Sequence, residues 1–366
     1  MIWARWLRPA SGPSPLSTRL GLSAGASVYP DEALVLVTGL DASARSALMG
    51  LVGPAWLAGE GDAALIRWTP AVVAQAVGPL RTALMRLQGC ASPTGRTRVM
   101  GIVNVTPDSF SDGGKYGAAA AAVAHGRALV DAGADMLDIG GESTRPGADE
   151  VSEAEELRRV LPVLEGLREV GVPLSIDTRK PGVARRAVEA GARLVNDISG
   201  LRDEAMLEVV AESGVEACLM HMQGEPKTMQ AAPRYDDVMA EVLDALETTL
   251  LHAESRGVPR GRLWVDPGVG FGKTSAHNLF LLHRAGDLRL LGARVLWGVS
   301  RKRFLGELLG GRPPEARTVA SAAAAALLAA QGAVDLVRVH DVAETREALA
   351  VADAIRLARD GGARFT

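Results

Sequence analysis

The sequence predicts an α/β protein, a (β/α)8 barrel preceded by a small N-terminal α+β extension. From residue 98 onward, short apolar runs of strand length alternate with longer helical patterns, and the alternation repeats eight times. The repeats occupy about 265 residues, the usual length of such a barrel. Polar residues also follow most of the predicted strands directly. An open doubly wound sheet is the alternative, but it seldom needs eight such repeats.

The barrel elements follow one another in a regular order along residues 96–366. Strand patterns fall at 99–105, 136–139, 173–177, 193–196, 217–221, 263–266, 295–299 and 336–339. Helical patterns follow each strand, at 118–132, 152–170, 181–190, 204–213, 236–256, 276–282, 303–309 with a continuation at 316–330, and 342–359.

The first 95 residues divide into two parts. Residues 1–30 are rich in Pro, Ser, Gly and Ala, which predicts a disordered leader. Its arginines loosely resemble a transit peptide, but its prolines favour a flexible leader instead. Residues 31–95 predict a small β-α-β-α unit of unknown role, and the stretch 89–98, with its Pro and Gly, is the predicted boundary. The unit's elements are expected at 33–38, 42–51, 63–68 and 71–87.

The composition is that of an ordinary globular protein, with 48% hydrophobic and 23% charged residues and a net charge of −3. No basic surface indicates nucleic acid or anionic lipid as a partner, although an anionic small molecule is not excluded. The longest apolar run, 319–330, is too short and too mild to span a bilayer. Two distant cysteines, Cys90 and Cys218, favour a reducing cytoplasm.

Polar side chains gather at the carboxyl ends of the predicted strands. A single Asp after a strand is usually a helix cap or a turn former. Each of the eight strands delivers such a residue to the same rim, however, which indicates a binding site. The set comprises Asn104, Asp138, Asp177, Asn196, His221, Asp266, Ser300, Arg301, Lys302, Arg338 and His340.

The rim residues suggest two chemically different sides. Carboxylates and an amide from strands three, four and six (Asp177, Asn196 and Asp266) suit a heterocycle that presents several hydrogen-bond donors, with Lys302 as a nearby cation. Elsewhere on the rim, Arg145, Arg338 and His340 form an anion-binding side that favours phosphate groups. Asn104 is a candidate ligand of Mg²⁺, which takes few protein ligands and relies on substrate phosphates. The sequence therefore predicts a planar polar heterocycle carrying a diphosphate leaving group.

A glycine-rich loop at 268–274, G-V-G-F-G-K-T, resembles a phosphate-binding P-loop. That motif requires a glycine where this chain has Pro267, and the dinucleotide motif requires a third glycine where it has Lys273. We therefore interpret the glycines as allowing close backbone approach to a ligand, with Phe271 available to contact it. The six histidines show no zinc-binding spacing.

Seven motifs, one after another, resemble those of the dihydropteroate synthase family, whose members are pterin-binding TIM barrels. The resemblance runs from about residue 98 to the end of the chain, which leaves the first 95 residues outside it. The motifs are N-V-T-P-D-S-F-S-D at 104–112, D-I-G-G-E-S-T-R-P-G at 138–147, D-T-R-K at 177–180, N-D at 196–197, D-P-G-V-G-F-G-K at 266–273, S-R-K at 300–302 and R-V-H-D at 338–341.

The resemblance implies two small-molecule substrates, a role for most rim residues, and a homodimer. It places the dihydropterin against Asp177, Asn196, Asp266 and Lys302, with Met220 and Phe271 lining the pocket. It places the diphosphate and Mg²⁺ at Asn104, Arg338 and His340, and Arg145 joins this side by its charge. It implies that the first two loops close over the site and help to bind 4-aminobenzoate, through Phe110, Asp112, Thr144, Arg145 and Pro146.

The implied reaction is displacement of diphosphate from the pterin CH₂ carbon by the aromatic amine. Asp112 and Asp138 would stabilise the cation that develops on the ring, and Lys302 completes the implied catalytic set. The chain departs from the family at Arg303, where many relatives have Ser, so that the contact to the aminobenzoate carboxylate passes to an arginine.

Two other functions fit the same fold. A methyltetrahydrofolate-binding methyltransferase would hold a pterin with similar carboxylates, but it has no use for Arg145, Arg338 and His340. A non-catalytic pterin-binding paralogue is expected to have lost loop residues that this chain retains.

Overall fold

The computed structural model describes residues 3–7, 34–38, 42–52, 56–60, 63–67, 95–105, 114–143, 151–224 and 228–359. The chain divides into two units. One comprises Met1–Ala91 with Leu290–Gly292, and the other comprises Ser92–Arg289 with Ala293–Thr366.

The N-terminal unit contains a four-stranded antiparallel sheet with the order β1-β2-β4-β3. Its first strand pairs with the second along its whole length, from Trp3 opposite Thr38 to Leu7 opposite Leu34. The elements are β1 (Trp3–Leu7), β2 (Leu34–Thr38), α1 (Ala42–Val52), β3 (Trp56–Glu60) and β4 (Ala63–Arg67).

Two strands of this unit differ from the sequence expectation. The disorder expected for residues 1–30 does not hold for Trp3–Leu7, whose two tryptophans and leucine give strand propensity that the Pro-rich remainder of the segment masks. The second, Trp56–Glu60, has no counterpart among the predicted elements. The expected helix at 71–87 and most of the leader lie outside the described residues.

Eight parallel strands form the closed barrel that the sequence predicts, in the order β10-β11-β12-β5-β6-β7-β8-β9. Their bounds lie within two residues of the predicted ones, which confirms the (β/α)8 fold class. The strands are β5 (Arg98–Asn104), β6 (Met136–Gly140), β7 (Leu174–Asp177), β8 (Leu194–Asp197), β9 (Glu216–Met220), β10 (Leu263–Asp266), β11 (Arg294–Trp297) and β12 (Leu336–Val339).

Helices connect the barrel strands, and several begin at capping side chains. The Asp203 side chain accepts a hydrogen bond from the Ala205 amide, and Thr274 and His277 form a reciprocal capping box. No helix of the described residues is both long and apolar enough to cross a membrane. The helices are α2 (Gly114–Asp131), α3 (Glu153–Leu167), α4 (Pro181–Glu189), α5 (Glu204–Ser213), α6 (Val238–Ser255), α7 (Ser275–His283), α8 (Arg303–Leu308), α9 (Thr318–Ala330) and α10 (Val342–Arg359).

Apolar side chains fill the barrel interior beneath the rim. Trp264 is fully buried there, and the guanidinium carbons of Arg98 and Arg294 lie 4.9 and 4.8 Å from its ring. Its indole N–H donates to Glu216 Oε2 at 2.7 Å. The interior is therefore closed at its amino-terminal end, which leaves polar chemistry to the carboxyl end. The buried cluster comprises Met100, Met136, Leu194, Cys218, Trp264, Leu296 and Leu336.

Candidate active site

Strand register aligns three predicted site residues at one level of the barrel. Asn104 pairs with Gly140, Gly140 with Asp177, and Asp177 with Asn196 across four adjacent strands. Each of these residues lies at or next to the carboxyl end of its strand. The rim predicted from the sequence therefore exists as a continuous row.

Arg338 forms the centre of the charged group at this rim. Its Nε donates to Asp138 Oδ2 at 2.5 Å, and its Nη2 donates to Asp177 Oδ2 at 2.7 Å. The Asn196 amide also donates to Asp138 Oδ2, at 3.0 Å. One cation from β12 thus neutralises carboxylates on β6 and β7, on the far side of β5.

This contact corrects one feature of the predicted site. The sequence places Arg338 on an anion-binding side, separate from the carboxylates that hold the heterocycle. In the structure Arg338 lies against two of those carboxylates. Because a strand pattern locates only the backbone, it does not show how far a long arginine side chain reaches.

Burial changes the protonation of this charged centre. Desolvation, together with the nearby Asp138 and Glu156 carboxylates, raises the pKa of Asp177 to about 7 against the opposing effect of Arg338. Burial lowers the pKa of Arg338, but the Asp138 and Asp177 carboxylates raise it by more, so that Arg338 remains a cation. The buried Asp138 Oδ1 has no hydrogen-bond partner among the described residues, and it is a free acceptor for a ligand N–H.

A second carboxylate and a second cation, Asp266 and Lys302, lie at or after the ends of the opposite strands β10 and β11 of the barrel. Asp266 ends β10 and accepts the Gly268 amide at 2.7 Å. Burial raises its pKa, while that amide and Lys302 act in the opposite direction. Burial also lowers the pKa of Lys302 to about 8, and its ammonium group lies 4.6 Å from the centre of the Phe271 ring. This side offers a carboxylate, a cation and an aromatic face to one ligand.

A methionine cluster supports the aromatic side chain. Phe271 is half-buried and packs against Met220, Met222 and Met229, together with Ile198. Methionine adapts to irregular shapes and makes favourable contacts with aromatic rings. Phe271 therefore contacts both an apolar cluster and the Lys302 ammonium group.

His340 is positioned by the neighbouring strand end. Its Nδ1 lies 3.0 Å from Ser300 Oγ, and its backbone amide donates to the same oxygen at 3.1 Å. Arg301, held at a φ of 55°, forms an ion pair with Asp341 at 2.5 Å. The last two strand-end loops are therefore linked directly to each other.

One further predicted residue, Arg303, lies apart from this group. Arg303, predicted to contact the aminobenzoate, is exposed and lies 3.3 Å from Glu307 on its own helix. Residues 106–113 and 144–150 lie outside the described residues, and with them Phe110, Asp112, Thr144, Arg145 and Pro146.

Sequence analysis missed two charged clusters next to the rim. Lys180 bridges Glu142 Oε2 at 2.8 Å and Glu156 Oε2 at 2.6 Å, and Glu142 also accepts the Val151 amide at 3.1 Å. Lys273, considered only as a member of the glycine-rich loop and of the D-P-G-V-G-F-G-K motif, is 1% exposed and surrounded by acceptors. Lys180 and Lys273 each end a motif that follows a barrel strand, and this position in the sequence was the signal that could have identified them.

Comparisons with known proteins agree with this geometry. Residues 100–340 match the family of pterin binding enzymes. The dihydropteroate synthase of Escherichia coli K12 is 47% identical over 274 residues, covering 75% of this chain and 96% of that protein. The Neisseria meningitidis serogroup C dihydropteroate synthase is 46% identical over 264 residues, covering 71% of this chain and 93% of its own length.

Solved structures give the same result. Xanthomonas albilineans dihydropteroate synthase with 4-aminobenzoic acid is 53% identical, covers 71% of this chain and 93% of its own, and has a TM-score of 0.67. The same protein in complex with 7,8-dihydropteroate is 50% identical, covers 71% of this chain and 94% of its own, and has a TM-score of 0.65. The chain belongs to the pterin-binding enzyme family. The relatives described above are all dihydropteroate synthases, and this confirms the resemblance found in the sequence motifs.

Proposed function

We propose that this chain acts as a dihydropteroate synthase. It joins (7,8-dihydropterin-6-yl)methyl diphosphate to 4-aminobenzoate, giving 7,8-dihydropteroate and diphosphate in folate biosynthesis. The observation that carries the proposal is the group of carboxylates at the rim, the buried Asp138 and Asp266 and the partly buried Asp177, with Arg338 and Lys302 nearby. This arrangement suits a ring rich in N–H donors that carries an anionic tail.

The pterin ring binds to the carboxylate-rich part of the mouth. Carboxylates accept adjacent N–H and NH₂ groups in bidentate fashion, and the unpartnered Asp138 Oδ1 offers a further acceptor. The ring stacks on the half-buried Phe271 and is bounded by Met220. The proposed pterin residues are Asp177, Asn196, Met220, Asp266, Phe271 and Lys302.

The diphosphate binds beside the pterin, on Asn104, Arg145, Arg338 and His340. Arg338 uses two of the five guanidinium donors in its contacts with Asp138 and Asp177, and others remain for phosphate oxygens. Asn104 supplies a hard oxygen ligand at the end of β5, as Mg²⁺ prefers. The described residues contain no cluster of three acidic, His or Cys side chains that would hold a metal. Asn104 is therefore the proposed protein ligand of Mg²⁺, which would neutralise charge on the leaving group.

The aminobenzoate enters from the loops, where Phe110, Thr144 and Pro146 are its proposed contacts. Arg303 is the proposed partner of its carboxylate, and in that role it exchanges Glu307 for the substrate. An exposed pair of this kind contributes little to stability, so that the exchange costs little.

The chemistry is a substitution at the exocyclic CH₂ of the pterin. The C–O bond to diphosphate breaks, the bonding electrons leave with the diphosphate, and the ring delocalises the positive charge. The amine nitrogen then forms the C–N bond and loses a proton. Asp112 and Asp138 stabilise the developing cation, and Lys302 orients the ring. An aniline nitrogen is already nucleophilic at pH 7, and no general base with a shifted pKa is required.

The test is diphosphate release by the purified protein. Dihydropterin diphosphate and Mg²⁺ are supplied with and without 4-aminobenzoate, and 7,8-dihydropteroate is identified by mass. We expect release that depends on the amine. Methyl transfer from a methylated folate without diphosphate release would favour the methyltransferase, and pterin binding without turnover would favour a non-catalytic paralogue.

A homodimer is proposed from an apolar face on the last two helices. Val319 and Leu327 on α9 are 83% and 63% exposed, and Val351 and Ile355 on α10 are 63% and 62% exposed. Spacings of four and eight residues place each pair on one side of its helix. A second copy of the chain is the proposed occupant of this face.

Sedimentation velocity tests the dimer. The double variant Leu327→Glu/Ile355→Glu should sediment as a monomer, whereas Leu251→Glu, at an exposed leucine on α6, should remain a dimer. A wild-type protein that sediments as a monomer would contradict the proposal.

Residues 96–366 are proposed to fold as a cytoplasmic pterin-binding barrel, with residues 1–95 as an extension. The division of the chain at Ala91 and Ser92 supports this boundary. Because Arg356 donates to the Gly95 carbonyl at 2.6 Å, the truncated chain should begin at Ser92. We expect it to be folded and active, and an insoluble product would contradict the division.

A further inference from the structure

Lys273 is a buried lysine beneath the glycine-rich loop that carries Phe271. It is 1% exposed, and its ammonium group contacts four acceptors. It lies 2.9 Å from His221 Nδ1, and it donates to the Gly268 and Phe271 carbonyls, each at 3.1 Å. The fourth acceptor is the His221 carbonyl, at 3.3 Å. One side chain thus connects both ends of the loop to the end of β9.

All four acceptors are uncharged, which makes this an expensive place for a cation. Burial lowers the pKa of Lys273 to about 7, and burial with the nearby Lys273 lowers the pKa of His221 to about 3. His221 is therefore neutral, so its Nδ1 can accept from the ammonium group. A cost of this kind at a buried position indicates a function beyond filling space.

The backbone of the glycine-rich loop lies too close to the segment after β9 to accept side chains at Gly268 and Gly272. A Cβ at Gly268 would lie 1.9 Å from the His221 carbonyl oxygen, and one at Gly272 would lie 2.5 Å from that of Gln223. Both glycines have positive φ, 69° and 58°. The backbone is therefore pressed directly against the strand end that Lys273 joins to it.

Other side chains hold two further carbonyls of the loop. Gln230 donates to the Gly270 carbonyl at 2.6 Å, and the Tyr235 hydroxyl donates to that of Gly272 at 2.9 Å. These two donors act on one carbonyl each, whereas Lys273 acts on two carbonyls of the loop and on β9. Lys273 therefore makes more of the contacts that hold the loop in place than either of these two side chains.

The same loop supplies two groups to the proposed pterin site. The Gly268 amide donates to Asp266 Oδ1, and Phe271 faces the Lys302 ammonium group. Lys273 holds the carbonyls of these two loop residues, Gly268 and Phe271. Its positive charge also favours the ionised form of Asp266, lowering the pKa of that carboxyl against the effect of burial.

We propose that Lys273 is a positioning residue for pterin binding, which fastens the loop from below so that Phe271 and Asp266 face the ring. The inference rests on the proposed function, because it takes the pterin as the ligand of these two residues. Lys273 does not touch the ligand; it acts through the loop and through the effect of its charge on Asp266.

The test uses the full-length variant Lys273→Met, which keeps the length of the side chain without its donors. We expect the calorimetric affinity for a pterin lacking diphosphate to fall about tenfold. We expect the KM for the dihydropterin diphosphate to rise by a similar factor, with kcat reduced less than about threefold because the groups that bind the diphosphate are unchanged.

The pH dependence gives a readout that a purely structural role would leave unmoved. The groups facing Lys273 are His221 after β9, Tyr235 before α6, Asp266 at the end of β10 and Lys302 after β11. Removing the charge of Lys273 raises the pKa of Asp266. The pH below which pterin affinity is lost should therefore move upward by about half a unit in Lys273→Met.

Arg356→Met is the matched control. Arg356 is also 1% exposed and also donates to a backbone carbonyl, but it lies at the start of the barrel segment, on Gly95. It should lower the melting temperature and leave pterin affinity and its pH dependence unchanged. A folded Lys273→Met protein that behaves in the same way would overturn the proposal.

If Lys273→Met does not fold, the wild-type protein provides the measurement. The chain has five lysines, so that the Lys273 ¹³Cε resonance can be assigned by substitution of the other four, Lys115, Lys180, Lys227 and Lys302. This resonance should shift when the pterin saturates the protein, and an unmoved resonance would overturn the proposal. A wild-type protein that binds pterin but releases no diphosphate would overturn only the proposed reaction.

Discussion

The two ends of the barrel are built from the same eight strands, but one end buries apolar side chains and the other holds charged ones. At the amino-terminal end, Trp264 lies among apolar side chains and its indole N–H has a partner. At the carboxyl end, Asp138 and Asp266 are buried and Asp177 is partly buried, with cations nearby. Burying charge is costly even when it is paired, while burying apolar surface is favourable. The amino-terminal end therefore stabilises the fold, whereas the charged groups of the carboxyl end reduce its stability and bind the ligand.

The largest effect should come from the apolar end. Trp264→Ala should lower the free energy of unfolding by about 3–5 kcal/mol, because it leaves a cavity and removes the partner of Glu216. Urea denaturation measures this loss. The KM values of the folded fraction should not change, and a changed KM would show that the two ends are coupled.

The next effect should appear at the carboxyl end, in binding. Asp266→Ala should weaken binding of a pterin lacking diphosphate by about 3 kcal/mol, over 100-fold, because charge-assisted hydrogen bonds are lost. Calorimetry measures the affinity, and denaturation should show little loss of stability, since a buried carboxylate is removed. Unchanged affinity would refute a role for Asp266 in pterin binding.

A paired comparison tests the observed position of Arg338. Arg338→Met should weaken binding of pterins with and without diphosphate by about 2 kcal/mol each, because its contacts organise Asp138 and Asp177. His340→Ala should weaken only the ligand that carries diphosphate. If Arg338→Met spared the simpler pterin, the separate anion-binding side predicted from the sequence would be restored.

The smallest effect concerns pH. The pKa of Asp177 is raised to about 7 in the folded protein, above its unfolded value. The stability that this group contributes is therefore complete below about pH 4 and is lost as the pH rises through 7. Asp177→Asn should remove this loss and be more stable than wild type at pH 8, by about 1 kcal/mol. Urea midpoints at pH 4 and pH 8 measure the difference, and a wild-type curve no steeper than that of the variant would contradict it.

The sequence predicted the positions of the strand ends correctly, but it did not predict which groups the long side chains contact. The strand ends at Asn104, Asp177 and Asp266 follow from apolar runs that stop at a polar residue, a local signal. The contacts of Arg338 join residues 200 and 161 positions apart, and no local pattern encodes which carboxylate an arginine will select. For Lys273, the burial depends on where β9 and the residues before α6 are brought by folding.

The position of Arg338 also has a consequence for how the protein is made. Its strand is the last of the eight to leave the ribosome, and it supplies the counter-ion for acids on the second and third barrel strands. Contacts between such distant parts of a chain form late. Until β12 docks, a growing chain carries those acids without their cation, and the mouth of the barrel is completed only at the end of synthesis.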